Sequence, residues 1–241
     1  MGIFYNTSVV RNGLILHLDA ANRKSYPGTG TTWTDLSGQN NHFTLLNSPT
    51  YDGRKFTFNG TTQSAVCTNT TCGNMGTSSF CMEYCVNMGS PPTSFASVIM
   101  KGGFITSIGS ASANRWAHRV GNDTFFIQDN NPPSGGGGTA IPVLSPVNTL
   151  NSICHYVVNI TRTGLNSTTT IFVNNIIRQT QLTTYVGTGD VSNNNAVTLW
   201  YTPGENAYLG GDMYFVRFYN RALTITEIRQ NFEATRDRYG I

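Results

Sequence analysis

The sequence predicts an all-β fold, a sandwich or barrel, closed by one C-terminal helix. Three observations carry that reading. Apolar and polar residues alternate in short segments broken by turn residues, the period-2 pattern of half-buried strands. Charged residues fill only 11% of the 241 positions, against about 25% in ordinary soluble domains. Threonine, asparagine and 25 glycines take their place, and threonine favours strands while asparagine and glycine favour turns. Helical spacing is convincing in one segment only, at the end of the chain.

The elements follow in order. Leu14, Leu16 and Leu18 place one apolar face on a first strand, with His17 and Asp19 opposite. Phe56 and Phe58 do the same ahead of an Asn59-Gly60 turn. From Phe80 to Val86, the residues Phe80, Met82, Tyr84 and Val86 share one face, and Cys81, Glu83 and Cys85 share the other. Strands are expected at Ser97–Met100, Phe104–Ile108, Trp116–Val120, Thr124–Gln128, Ile153–Ile160 and Thr169–Val173. The last of these turns at Asn174-Asn175, a pair suited to positive φ, into Ile176–Gln179. Met213–Tyr219 is the final strand. The helix is expected over 224–238, because Thr224 and Glu227 form a capping box and Ile225, Ile228 and Phe232 recur at helical spacing.

Bulk properties exclude several function classes. The length suits a single domain, 1–241, with residues 1–12 as an N-terminal arm. A net charge of +3 is too small to argue for nucleic acid. The C-terminal arginines Arg217, Arg221, Arg229, Arg236 and Arg238 alternate with acids and read as a solvated helix face. No apolar run is long enough to insert in a membrane. Met1–Arg11 lacks the basic start and apolar stretch of a signal peptide, so a mature chain or another exit route, such as release of a virus particle by lysis, is expected. Asn130–Gly138 reads as an exposed flexible loop, since no Gly-Lys-Ser/Thr follows to make a phosphate cradle. The five cysteines contain no CxxC pair and are expected as free, partly buried thiols. Cys67 and Cys72 could close a small loop in an oxidising setting.

Several segments together resemble a known family. Gly13-Leu-Ile-Leu-His-Leu-Asp-Ala20, then Ser25-Tyr-Pro-Gly28, Trp33 and Asp35-Leu-Ser-Gly38, look like the opening of laminin-G-like jelly rolls in the concanavalin A-like lectin/glucanase superfamily. Phe56-Thr-Phe-Asn-Gly60 is similar to that family's second core strand. Phe80–Val86 resembles its Phe-Thr-x-Glu-x-Trp-Val strand, Cys154–Val158 its Trp-His-x-Val-Ala strand, and Ile171–Asn175 its Tyr-Val-Asp/Asn-Gly hairpin. Val216-Arg-Phe-Tyr-Asn-Arg-Ala-Leu223, with Glu227-Ile228 and Asn231-Phe232, is the most specific match. The resemblance implies a concanavalin A-like jelly-roll β-sandwich of two antiparallel sheets with a short C-terminal helix. Both family tryptophans are cysteine here, Cys85 and Cys154, and the two thiols are expected near each other in the core.

Family resemblance also frames the chemistry. Glucanase members carry a strand of alternate carboxylates, but the twelve acids here stand apart in sequence, so the pair that glycoside hydrolysis needs is missing and no enzyme is expected. Glu83 and His155 fall in core strand motifs and read as hydrogen-bonded structural residues. Some superfamily members hold a structural calcium near the first and last strands, which points to Asp19 and Asp212 with Asn22 nearby. A glycan would need an aromatic platform with amide donors, for which Trp200, Tyr201, Asn194, Trp116 and Trp33 are the candidates. The loop region 185–206 is the first place to look. The resemblance implies a non-catalytic surface-interaction protein, a virion structural or decoration protein of minor capsid or fibre type. Its partners would be neighbouring capsid or fibre subunits, or cell-surface glycans, with a homo-oligomer possible in principle. A free carbohydrate-binding module or adhesin at the cell surface is the alternative, and a glucanase-like hydrolase the second.

Overall fold

Alternation along the chain resolves, in a computed structural model, into two eight-stranded antiparallel sheets and a separate two-stranded hairpin. The structure describes residues 8–91, 96–102, 114–120, 124–128, 138–142, 150–184 and 189–241. The expected strand Phe104–Ile108 lies outside them, as does the loop Asn130–Gly138 apart from Gly138, which opens a strand.

The strands run β1 (Leu14–Asp19), β2 (Thr32–Trp33), β3 (Phe43–Leu46), β4 (Thr50–Tyr51), β5 (Phe56–Asn59) and β6 (Ser64–Cys67). Next come β7 (Phe80–Met88), β8 (Ser97–Lys101), β9 (Arg115–Arg119), β10 (Thr124–Gln128), β11 (Gly138–Pro142) and β12 (Ile153–Thr163). The rest are β13 (Asn166–Val173), β14 (Ile176–Thr184), β15 (Val197–Leu199), β16 (Tyr201–Thr202), β17 (Ala207–Tyr208) and β18 (Gly210–Tyr219). Helices α1 (Ile225–Glu233) and α2 (Arg236–Tyr239) end the chain. The first sheet has the order β14-β13-β12-β7-β18-β5-β4, and the second β11-β10-β9-β8-β15-β6-β3-β2. Strand β1 joins the first sheet on β18, whose early residues pair with β5 and later ones with β1.

The core between the sheets takes the inward residues of both. Phe80, Met82, Tyr84, Val86 and Met88 of β7 enter it, as the alternation predicts. Asn174 and Asn175 adopt φ of 50° and 63°, the conformation expected for the β13–β14 hairpin. Two β-bulges change the pattern. One between Leu14 and Leu16 sends Leu14 to a cluster outside the sandwich, while Leu16 and Leu18 stay in the core. This corrects the single face expected for all three leucines. The second, between Met213 and Phe215 of β18, has the larger consequence. An extra residue inverts the facing of everything after it. Val216 and Phe218 therefore point into the core, and Phe215, Arg217 and Tyr219 point out. Gly211 in the same strand has φ 145°, and a Cβ there would lie 2.3 Å from the Asn87 carbonyl oxygen and 2.8 Å from the Trp200 ring.

The outer face of the first sheet is roofed by α1, α2 and the N-terminal segment. Thr224 and Glu227 form the expected capping box. The single helix expected over 224–238 is two: Thr235, at φ −127°, leaves the helical path between them, its N–H donating to the Phe232 carbonyl at 3.0 Å and its hydroxyl to the Asn231 carbonyl at 2.8 Å. Ile228 and Phe232 are buried against the sheet, whereas Ile225, in the first turn, is 67% exposed. Of the expected arm, Val10 is buried and tied down: its N–H donates to Asn231 Oδ1 at 2.8 Å and its carbonyl accepts from the Tyr219 hydroxyl at 3.2 Å.

Candidate functional site

Most of the aromatic candidates turn out to be core. Trp33, Trp116 and Trp200 are each 0% exposed. Trp33 meets Phe56 edge-on at 4.8 Å, and Trp116 donates its indole N–H to the Gly73 carbonyl at 3.1 Å. Trp200 stacks on Phe58 at 5.5 Å. A ring enclosed on both faces cannot offer one to a sugar, so these three are corrected to packing residues. The stretch expected as a long loop, 185–206, also holds β15, which is internal to the second sheet between β8 and β6. Its residues 185–188 lie outside the described set.

Tyr201 is the aromatic candidate that reaches the surface. Strands β16 and β17 form a small hairpin that pairs Tyr201 with Tyr208. Both rings are partly exposed and lie 4.6 Å apart, tilted by 30°. The turn between them, Pro203-Gly204-Glu205-Asn206, is accessible, with Gly204 and Asn206 at positive φ. Ser97 N–H of β8 donates to the Thr202 hydroxyl at 3.0 Å and anchors the hairpin. Tyr208 was missed by sequence reasoning, although a Pro-Gly turn flanked by two tyrosines is a legible hairpin signal. Asn194 is exposed, but it sits before β15 and Tyr201 follows it.

The two carboxylates expected to hold calcium are already neutralised. Asp19 accepts from Arg238 Nη1 at 2.6 Å, the Tyr239 hydroxyl at 2.8 Å and the Ala21 N–H at 3.0 Å. Asp212 accepts from Lys55 Nζ at 2.7 Å and the Thr57 hydroxyl at 2.6 Å. Asn22 caps its own turn, its Oδ1 accepting from the Lys24 N–H at 3.0 Å. A calcium ion would have to displace a cation from each carboxylate, so the expected site is corrected to two ion pairs. Among the described residues no group of three or more His, Cys, Asp or Glu side chains could hold a metal ion.

Glu83 and His155 lie where the motifs predict, in a buried network under the helices. Glu83 Oε1 accepts from His155 Nε2 at 2.8 Å and Arg217 Nη1 at 3.0 Å, and its Oε2 accepts from Asn231 Nδ2 at 2.8 Å. Burial pushes the Glu83 carboxyl up, but Arg217 and His155 together outweigh it and hold the group below the usual range. Phe232 of α1 stacks on His155 with ring centroids 5.6 Å apart. Arg217, expected on a solvated helix face, is instead a strand residue with a side chain only 1% exposed. Asp35 likewise serves its loop, accepting from the N–H groups of His17, Ser37 and Asn41.

All five cysteines are free and buried. Cys72 hydrogen-bonds to Cys67, which lowers the Cys67 thiol below its ordinary range; that bond and burial push Cys72 far up. Cys85 and Cys154 do not share the core. Cys154 lies opposite Val86 in the strand pairing and faces inward, while Cys85 lies opposite His155 and faces the helices.

Comparisons with solved structures show the fold. The binding domain of Paraclostridial Mosquitocidal Protein 1 superposes with a TM-score of 0.60 at 16% identity, covering 92% of this chain and 52% of that one. The botulinum neurotoxin serotype D ligand-binding domain, solved in complex with N-acetylneuraminic acid, gives 0.65 at 12% identity, covering 94% and 52%. A Trypanosoma rangeli sialidase mutant gives 0.61 at 15% identity, covering 94% of this chain and 34% of the enzyme. The chain thus spans about half the length of the two binding domains and a third of the sialidase. No curated protein sequence matches it. The family model described as the concanavalin A-like lectin/glucanases superfamily matches residues 58–229, most of the chain, and to that family this protein belongs.

Proposed function

We propose that this chain is a non-catalytic carbohydrate-binding protein that meets its ligand through the Tyr201–Tyr208 hairpin. The observation that carries the reading is the partly exposed ring pair, whose strands belong to neither large sheet and are anchored to β8 through Thr202. Tyrosine suits the task because it gives a broad, rigid contact area with a polar tip at little entropic cost. Glu205 and Asn206, in the turn that joins the two tyrosine strands, offer a carboxylate acceptor and an amide. The solved domain of like fold with bound N-acetylneuraminic acid is consistent with a glycan ligand. Against catalysis stand the partners of Asp19, Glu83 and Asp212, each held by a cation in the fold. Glycan-array binding by the intact protein, repeated with Tyr201→Ala and Tyr208→Ala, is the test. Each substitution is expected to weaken binding about tenfold, ~1.4 kcal/mol, with thermal stability unchanged. Absence of any glycan binding at millimolar sugar would defeat the reading.

A second reading places the protein on a virus particle, bound to neighbouring capsid or fibre subunits. It is favoured by β14, an edge strand whose Ile176, Ile177 and Leu182 are 54%, 52% and 61% exposed. Exposed apolar edges are surfaces that a neighbouring subunit can cover. Mass spectrometry of purified particles tests this, and its absence from every particle fraction would leave the free extracellular module.

A further inference from the structure

The edges of the two large sheets are protected unequally. A strand edge carries unpaired N–H and carbonyl groups that template pairing with another chain, so folded proteins keep edges short, charged, proline-bearing or covered. The edge strands β4 and β2 are two residues long, and β11 has five residues and ends in Pro142. The open side of β1 is covered by the loop that follows it. There the His17 N–H donates to Asp35 Oδ1 at 2.8 Å, and the His17 carbonyl accepts from the Leu36 N–H at 2.8 Å.

Strand β14 has little of this protection. It runs nine residues, pairs with β13 along its length, and among the described residues no strand pairs with its other side. Its sequence, Ile-Ile-Arg-Gln-Thr-Gln-Leu-Thr-Thr, holds no proline, no glycine and a single charge, Arg178. Arg178 sits at a bulge, and from Gln179 to Thr184 the ladder to β13 is regular.

The strand also complements itself. Exposed Ile176 and Ile177 stand at its start and exposed Leu182 near its end, with Gln179, Thr180 and Gln181 between them. Pairing with a second β14 in the antiparallel sense lays the isoleucine end of each copy against the leucine end of the other. The parallel sense would instead set Arg178 beside its own mate, about 4.8 Å away, where like charges repel. A two-fold axis near Thr180 separates the two arginines by four residues along the strands, ~13 Å.

We propose that β14 is a self-association edge: two copies of this chain pair β14 to β14 antiparallel about a two-fold axis and join their first sheets into one. The same strand serves both copies, so the contact closes at two. Main-chain hydrogen bonds supply affinity, and the apolar ends add area removed from water. The virus-particle reading leaves this edge to any neighbouring subunit; the dimer names its occupant and rests on neither that reading nor the hairpin. Strand β14 lies four strands from β18, which follows the hairpin, roughly 19 Å across the sheet, so the joint leaves both hairpins clear. Because the axis crosses the joined sheet, both second sheets, to which the hairpins are anchored, lie on the same side of it. Two tyrosine pairs would then face one glycan-bearing surface, a consequence that alone rests on the glycan reading.

The test is sedimentation of the full chain, with no glycan or particle present, from about a micromolar to hundreds of micromolar. A monomer–dimer equilibrium is expected. Ile177→Lys and Leu182→Glu, both at exposed positions, should each weaken dimerisation about tenfold or more, with thermal melting at micromolar concentration unchanged. An equimolar mixture of the two variants should recover the dimer, because antiparallel pairing brings the two introduced charges, of opposite sign, together. A monomer throughout, a dimer indifferent to both substitutions, no recovery in the mixture, or species that keep growing beyond two would each overturn the proposal. No sugar enters the measurement, so its failure leaves the hairpin test untouched, and a dimer that binds no glycan leaves this proposal standing.

Discussion

Phe80, Met82, Tyr84 and Val86 project from β7 into an apolar core, whereas Cys81, Glu83 and Cys85 project from the same strand beneath the C-terminal helices. Both faces are buried, but different physics holds them. The inner face gains from area removed from water, and Tyr84, whose hydroxyl meets His118 Nδ1 at 2.8 Å, adds a polar contact across the sandwich. The outer face is fixed by a network in which Glu83 joins two sheet strands, β12 and β18, to α1 through His155, Arg217 and Asn231. Non-directional burial tolerates exchange of one apolar residue for another of similar volume. A buried ionic network does not, because deleting one member strands the rest.

The largest contrast should appear on β7 itself. Glu83→Ala is expected to cost about 3–5 kcal/mol, because Arg217 loses its buried counter-charge. Met82→Leu, the neighbouring residue on the other face, should cost under about 1.5 kcal/mol. Urea denaturation of the two variants measures both, and equal, small losses would show that the network does not hold the helices. Trp200→Ala bears on the inner face, with an expected loss of about 3–5 kcal/mol. Any glycan affinity of the folded protein should survive it, since the ring is enclosed. Selective loss of binding at full stability would restore Trp200 as a ligand residue.

The outer face should also be the acid-sensitive one. Burial first, and then Arg217, lower His17 to about 4 from its ordinary 6.5. The folded state thus binds the proton less readily than the unfolded chain does. The associated stability is fully present above pH 6.5 and is lost as pH falls towards 4, with a slope of at most ~1.4 kcal/mol per pH unit. Glu83, also held low, extends the acid loss below the ordinary carboxylate range. Urea midpoints between pH 7 and 4 should therefore fall in the wild type, and His17→Phe should flatten the upper part of that fall. A smaller effect than at Glu83 is expected at the roof's entry. Thr224→Ala removes the capping box and should cost about 0.5–2 kcal/mol, read as a shift in urea midpoint.

Much of this arrangement is legible without coordinates. The face assignments of β7, the Asn174-Asn175 hairpin and the Thr224 cap each depend on residues within a few positions of one another. Glu83 and His155 could be assigned structural roles from their strand motifs, and the structure supplies their partners. The candidate site was harder. Trp33, Trp116 and Trp200 are candidates for a ligand platform although such residues more often pack in a core, and sequence does not separate the two because a large aromatic serves in either place. Asp19 and Asp212 look free until Arg238 and Lys55, each more than a hundred positions away in the chain, arrive beside them.

The sequence by itself determined the longer alternating strands, such as β7, β12 and β18, the Asn174-Asn175 turn and the capped helix start, because alternation, turn conformation and capping are local properties of the chain. Short strands such as β2, β4, β16 and β17 carry too few residues to show a period. Tertiary structure alone decided which layer covers each face. One extra residue near Tyr214 inverts β18 and turns Arg217 out of the core, and the helices then close over it. No local rule reports that closure, since it depends on where Val10 and α1 come to lie. The resulting cavity joins His17, Arg217 and Arg238, residues from opposite ends of the chain that are neighbours only after folding.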